Sequence, residues 1–190
     1  MSFQLLFYFI LFCWLVFEIF FVYLKQGSRL GAKTLPGPLK RTMSRLLELC
    51  CFWPIILFFF TNDYLHLRAN FSGVGIGSII ILMSKMFQWY AIQLLGPYYT
   101  ADISVFQTPK IVEAGWYKTM RHPQYLANFM SFIGLALCFN GLQMQTISLI
   151  FPVLNYFLKI RWEEQALRQA WGNSYEKYLF KTYRLLPYIY

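Results

Sequence analysis

The chain has 190 residues, 58% of them hydrophobic and 21% aromatic, and a formal net charge of +9. Charged residues make up only 13%, about half the share usual in soluble proteins, so the composition points to one domain in a bilayer rather than to a water-soluble core. The positive charge does not point to nucleic acid, because the basic residues lie between apolar runs and form no stripe interleaved with exposed aromatics.

Residues 3–24, FQLLFYFILFCWLVFEIFFVYL, have about the length a helix needs to cross the hydrocarbon layer. They lack the basic n-region, short apolar core and A-x-A-like site of a signal peptide. A second apolar run covers roughly 46–65 and a third roughly 71–95. Residues 125–160 form a longer apolar stretch interrupted by FNGLQMQ, which predicts a helical hairpin with its tip near Asn140-Gly141. The total is about five spans.

Loop charges orient them. Segment 25–45 carries Lys25, Arg29, Lys33, Lys40, Arg41 and Arg45 without an acid, and its LPGPL prevents a continuous helix. Segment 61–70 carries only Arg68 and Asp63. The tail carries Lys159, Arg161, Arg168, Lys177, Lys181 and Arg184. The first loop, segment 96–124 and the tail are therefore expected in the cytosol, with the N-terminus outside. The expected fold is an all-α, multi-pass integral membrane protein. It forms a single membrane domain over 1–190, with three spans in 1–95, a catalytic half in 96–190, and a helical cytosolic tail that covers the site.

Glu18 and Lys85 fall inside spans, which makes each a functional candidate by default. The ordinary reading is that Glu18 sits near the inner end of its span and Lys85 pairs with a neighbouring helix or carbonyl. Cys13, Cys50, Cys51 and Cys138 lie in apolar runs without a C-x-x-C. They read as buried thiols, not as a disulfide framework or a metal site. In the tail, Leu158, Trp162, Leu167 and Trp171 recur at roughly helical spacing, and Gly172 reads as a C-cap. A second short helix from Asn173 to about Lys181 would put Tyr175 and Tyr178 on one face.

The polar residues gather in three stretches: VFQTPKIVEAGWYKTMRHPQY, KIRWEEQAL and WGNSYEKYLFKTYRLLP. The expected topology brings all three to the cytosolic ends of the last two spans. Taken singly, Arg121 and His122 read as interfacial anchors. Glu163 and Glu164 read as a solvated helix face with Arg161 or Arg168 as partner.

Together they form a more specific pattern. Gly115, Tyr117, Arg121, His122, Pro123 and Tyr125 are followed by the hairpin and by Lys159, four places before Glu163-Glu164. Leu167, Gly172, Tyr175, Tyr178, Leu186 and Pro187 complete it. This arrangement, over roughly residues 95–190, resembles the isoprenylcysteine carboxyl methyltransferases. The family usually has Arg where Lys159 stands, commonly Gly at Ala127, and Arg at Lys181.

The resemblance implies an integral-membrane enzyme that uses S-adenosyl-L-methionine without the soluble doubly wound fold. It implies cofactor contacts at Gln107, Ile111, Val112, Tyr117, His122, Pro123, Gln124, Tyr125 and Glu163. The reaction would involve Lys159, Arg161 and Arg121, with a cation meeting the acceptor's carboxylate. The acceptor would be a lipophilic or prenylated molecule entering from the bilayer among membrane lipids. The active site would face the cytosol, in the inner membrane of a bacterium or the endoplasmic reticulum of a eukaryote. An amine lipid would also suit the architecture. The YRLLPYIY ending with RHPQY also resembles the NADPH-dependent sterol reductases, and a non-enzymatic membrane subunit is a third reading.

Overall fold

The computed structural model describes residues 3–20, 32–34, 42, 43, 46, 49, 51, 52, 71–100, 104–106, 111–139 and 142–187. The architecture is helical. Helix α1 spans Phe3–Ile19, α2 Phe71–Leu95, α3 Pro123–Cys138, α4 Leu142–Trp171 and α5 Asn173–Lys181.

The 25 residues of α2 are uncharged except for Lys85. At ~1.5 Å per residue they exceed the ~30 Å of a hydrocarbon layer. Its stretch Ser72–Tyr98 is, among the described residues, the one helix long and apolar enough to cross a membrane, and Tyr8–Ile19 is a shorter apolar helix. One face of α2 exposes Ile76, Ile79, Leu82, Met83 and Met86, and α1 exposes Phe9, Phe12 and Phe17. Such contiguous apolar surface is costly in water and suits lipid.

The opposite faces build the core. Leu11 and Trp14 of α1, Val74 and Ile81 of α2, and Phe132, Leu135 and Cys138 of α3 pack into one cluster with Cys51 and Phe139. Helices α2 and α3 approach closely where Gly77 faces Gly134. A Cβ on Gly134 would lie 2.7 Å from the Gly77 carbonyl oxygen, and one on Gly77 would lie 2.7 Å from Cys138 Sγ. Small residues at such crossings let helix backbones touch without a gap, which is how packing holds helices together in lipid.

Helix α3 begins at Pro123 because the proline ring bars His122 from helical backbone angles, and His122 sits at φ −125°, ψ 55° as the N-cap. The hairpin expected over 125–160 is present as α3 and α4, with its tip at residues 140–141 outside the described residues. Helix α4 does not stop near residue 160. It runs through Pro152 to Trp171, so the helical spacing of the first part of the tail is its continuation. Gly172 ends it at φ +50°, its N–H donating to the Arg168 carbonyl, and α5 follows at once.

Two strands were not anticipated. Strand β1, Ala32–Thr34, pairs antiparallel with β2, Ser104–Phe106, with Lys33 opposite Val105. Most of the expected second span over 46–65, the LPGPL segment and Cys50 lie outside the described residues.

The glycine contact yields a test. Gly134→Ala should destabilise the protein by about 1–3 kcal/mol through overpacking against backbone. Gly75→Ala, where an added Cβ meets nothing within 4 Å, should be neutral or stabilising by up to about 1 kcal/mol. Thermal unfolding of the purified protein in detergent checks both.

Candidate functional site

The RHPQY segment lies between the two polar parts of the tail and is stitched to the second. The Arg121 N–H donates to the Tyr183 carbonyl at 2.8 Å, the His122 N–H to the Arg184 carbonyl at 3.1 Å, and the Tyr183 N–H to the Thr119 carbonyl at 2.9 Å. Upstream, a single 3-10 turn at Gly115–Lys118 presents Tyr117. Gly115 adopts φ +52°, and an added Cβ there would sit 2.6 Å from Leu94, so both backbone and space select glycine. The Tyr178 hydroxyl of α5 donates to the Tyr117 carbonyl at 2.8 Å.

Glu164 is the charged centre of this assembly. Its Oε1 accepts from Arg121 Nε at 2.8 Å, and its Oε2 from Arg184 Nε at 2.9 Å. His122 Nε2 stands 3.6 Å from Oε1. Arg121 Nη1 also donates to the carbonyls of Leu179 and Thr182. Burial alone would raise the carboxyl pKa, but His122 and Arg121 more than offset it and hold it down at about 2. Glu164 is thus not part of a solvated face. Arg168 pairs instead with Glu176 at 3.5 Å on the surface.

Glu163, one residue earlier, points elsewhere. Its Oε2 accepts from the Tyr125 hydroxyl at 2.7 Å and lies 3.9 Å from His122 Nδ1. The Tyr125 ring lies nearly parallel to the His122 ring, with centroids 5.4 Å apart and planes at 14°. His122 Nε2 is buried and faces Glu164 Oε1 at 3.6 Å, just beyond good hydrogen-bond distance. A buried polar atom left so is costly, and such atoms mark places where a further group binds.

These residues border an open cleft. Of the residues singled out in the sequence, the cleft is lined by Ile111, Val112, Tyr117, Arg121, His122, Gln124, Tyr125 and Glu163. Three others stand apart from its lining. Pro123 is buried in the first turn of α3. Lys159 is buried one turn before Glu163. Arg161 is exposed, with its guanidinium 4.3 Å above the Phe157 ring. Gln107 lies outside the described residues.

Leu167, Tyr175 and Tyr178 of the motif also line the cleft, as do Tyr99 and Trp171, which the sequence reading did not assign to the site. The signal for Tyr99 was its position just after Gly96-Pro97, where α2 must end. The cleft encloses about 120 Å³, less than the ~300–1,000 Å³ of typical small-molecule sites, so a ligand of nucleoside size must also use its open mouth.

Burial sets the chemistry of the walls. It pushes the Tyr99 phenol up to about 12, opposed by the Gln124 amide and helped by the charge of Glu18. It raises Tyr117, Tyr175 and Tyr178 as well. At neutral pH these rings are uncharged donors and offer no phenolate base. The cleft can take an aromatic ring and a cation against its walls, a donor group at Glu163, and an acceptor at His122.

Residues 77–169 match the family described as isoprenylcysteine carboxyl methyltransferase (ICMT). The match covers just under half of the chain. The ICMT segment runs from within α2 almost to the end of α4 and contains RHPQY, Lys159 and both glutamates. A probable protein-S-isoprenylcysteine O-methyltransferase of Oryza sativa subsp. indica is 26% identical over 117 residues, 60% of this chain and 61% of the rice protein. The protein of the same name in subsp. japonica matches equally. The uncharacterized protein YpbQ of Bacillus subtilis (strain 168) is 26% identical over 117 residues, 70% of its length. The match therefore spans about three fifths of the rice relatives.

Glu164 makes the stability of this protein pH-dependent. Its folded-state pKa of about 2 lies below the ordinary 4.5. The stability it contributes is therefore complete above about 4.5 and is lost as pH falls towards 2. Glu164→Gln should flatten that part of the profile. At neutral pH it should cost on the order of 3 kcal/mol, because it strands the Arg121 guanidinium. Thermal unfolding against pH in detergent measures both effects.

Proposed function

We propose that the chain is a multi-pass membrane methyltransferase that uses S-adenosyl-L-methionine to methylate the carboxylate of an isoprenylcysteine-like lipophilic acceptor. The observation that carries this reading is the buried His122 ring set between Glu163 and Glu164 at the wall of an aromatic cleft, with all three residues inside the matched segment. When bound, S-adenosyl-L-methionine supplies an electrophilic methyl group on a sulfonium.

The residues fit that cofactor group by group. His122 binds the cofactor carboxylate. Glu163 accepts from the ammonium or the ribose hydroxyls. Tyr99, Tyr117, Tyr175 and Trp171 cover the adenine and face the sulfonium, where cation–π attraction helps. Ile111, Val112 and Gln124 close the remaining wall. Pro123 fixes where α3 starts, and Arg121, committed to Glu164 and two carbonyls, keeps that wall in place. A carboxylate oxygen is nucleophilic without losing a proton, so the chemistry needs alignment and exclusion of water rather than a base. The uncharged tyrosines are consistent with that. Behind the cleft lining, Lys159 orients the acceptor carboxylate, and Arg161, exposed over the Phe157 ring, attracts it.

Crossing parity supports the five-span topology. Strands β1 and β2 must lie on one side of the membrane, so if α2 crosses, a second crossing lies between 35 and 70, where the apolar run 46–65 stands. Met120 bridges to Tyr183 in the same way, so α3 and α4 cross as a pair. The loop charges put the site in the cytosol. On this reading the chain is one membrane domain whose tail covers the cofactor, and the acceptor slides in from the bilayer.

Equilibrium binding of S-adenosylhomocysteine and of NADPH in detergent tests the cofactor. The protein should bind the first, and binding of NADPH alone would establish the reductase reading instead. His122→Ala and Glu163→Ala should each weaken S-adenosylhomocysteine by about one to two decades, the loss of a charge-assisted hydrogen bond. Unchanged affinity in both folded variants would refute the assignment. Lys159→Ala should spare cofactor affinity while raising KM or lowering kcat for a prenylcysteine. Wild-type rates in that variant would remove Lys159 from the reaction.

A further inference from the structure

The polar residues buried among α1, α2 and α3 remain unexplained by this chemistry. Lys85 of α2 donates from one ammonium to Glu18 of α1, to Gln88 Oε1 at 3.0 Å and to Asn128 Oδ1 of α3 at 3.1 Å. All four side chains are buried, and Trp14 lies 5.7 Å below the ammonium. A saturated ammonium takes no further ligand, so this is not a binding site. Glu18 lies outside the segment that matches the family, and an ion pair in a bilayer is expensive to keep there. Pinning α1 alone could be done by apolar packing.

The cluster leads to the cleft. With its oxygen held by Lys85, Asn128 also stands beside Tyr156 of α4. The Tyr156 ring packs on Tyr125 at 5.6 Å. Tyr125 in turn holds Glu163 through its hydroxyl and His122 through its ring face. An amide whose oxygen accepts from an ammonium is held against flipping, so Lys85 fixes which end of Asn128 faces Tyr156.

We infer that Lys85 and Asn128, with Glu18 as counter-charge, are positioning residues that set Tyr156 and Tyr125, and through them His122 and Glu163, for ligand binding in the cleft. The inference rests on the cofactor reading above. It makes α1 part of the working site.

The test uses the full-length protein with His66→Asn, which leaves His122 as the single histidine of the two in the chain. Three variants are compared: Glu18→Gln with Lys85→Met, Tyr156→Phe, and all three substitutions together. Thermal midpoint, S-adenosylhomocysteine affinity and the side-chain 15N resonances of His122 are read for each. Removing both charges leaves no stranded ion, so the midpoint should stay near wild type.

Affinity should nevertheless fall about three- to thirtyfold, and the His122 resonances should shift. Tyr156→Phe should do the same, and the triple variant should be no weaker than Tyr156→Phe, because the substitutions act along one path. Wild-type affinity with unmoved resonances in the charge-free variant would overturn the inference, as would additive losses in the triple. If the charge-free variant fails to fold, Asn128→Leu and Tyr156→Phe, which keep the ion pair, decide by the same readouts. If the parent protein does not bind S-adenosylhomocysteine at all, the cofactor reading fails separately. The His122 resonances then decide alone: a shift upholds the path and no shift overturns it.

Discussion

The candidate site depends on one buried carboxylate. Glu164 accepts from Arg121, 43 residues away, and from Arg184, 20 residues away, with His122 alongside. Burying such charges costs several kcal/mol per ion, which the structure offsets with charge-assisted hydrogen bonds on both carboxylate oxygens. The arrangement joins three pieces of chain: the entry to α3, the last third of α4 and the segment after α5. With Glu164 turned to this junction, the neighbouring Glu163 is left to face the cleft. Adjacent residues on a helix point about 100° apart, so a Glu-Glu pair can serve a structural and a ligand-facing role at once.

The cleft that results is chemically quiet. Its tyrosines stay protonated because burial raises their pKa values. Its carboxylate at Glu163 is engaged by a hydroxyl rather than by a guanidinium. The Glu164 charge lies behind the wall, and the Arg121 and Glu163 charges that do line the cleft are each engaged by a protein partner. Transfer of a methyl group between a sulfonium and an already anionic oxygen asks for such surroundings: a dry, shaped pocket with a few fixed donors and acceptors.

Much of this was legible along the chain because it is local. Gly172 announced where α4 ends, and the spacing of Tyr175 and Tyr178 the buried face of α5. The RHPQY, Glu163 and downstream tyrosine spacings led to the cleft and to most of its predicted lining. What stayed hidden is non-local. Nothing near Glu164 in sequence says that it turns inward to Arg184 rather than outward to Arg168. The pairing of Ala32–Thr34 with Ser104–Phe106 joins segments 70 or more residues apart through strands of 3 residues each, too short for a periodicity. Lys85 was visible as a charge in an apolar run, and a partner on a neighbouring helix was expected. That it reaches both Glu18 and Asn128 depends on three helices meeting.

The most direct measurement of the central claim is the fate of a labelled methyl group. Membranes containing the protein are supplied with S-adenosyl-L-methionine labelled on its methyl and with a prenylated cysteine derivative, and the lipid extract is treated with mild alkali. The account predicts label in the extract that is released as methanol, because a carboxyl methyl ester is cleaved by base. Label that resists alkali would place the methyl on nitrogen and contradict the carboxylate acceptor. No transfer by folded protein to any lipid or prenylated acceptor would contradict the methyltransferase itself.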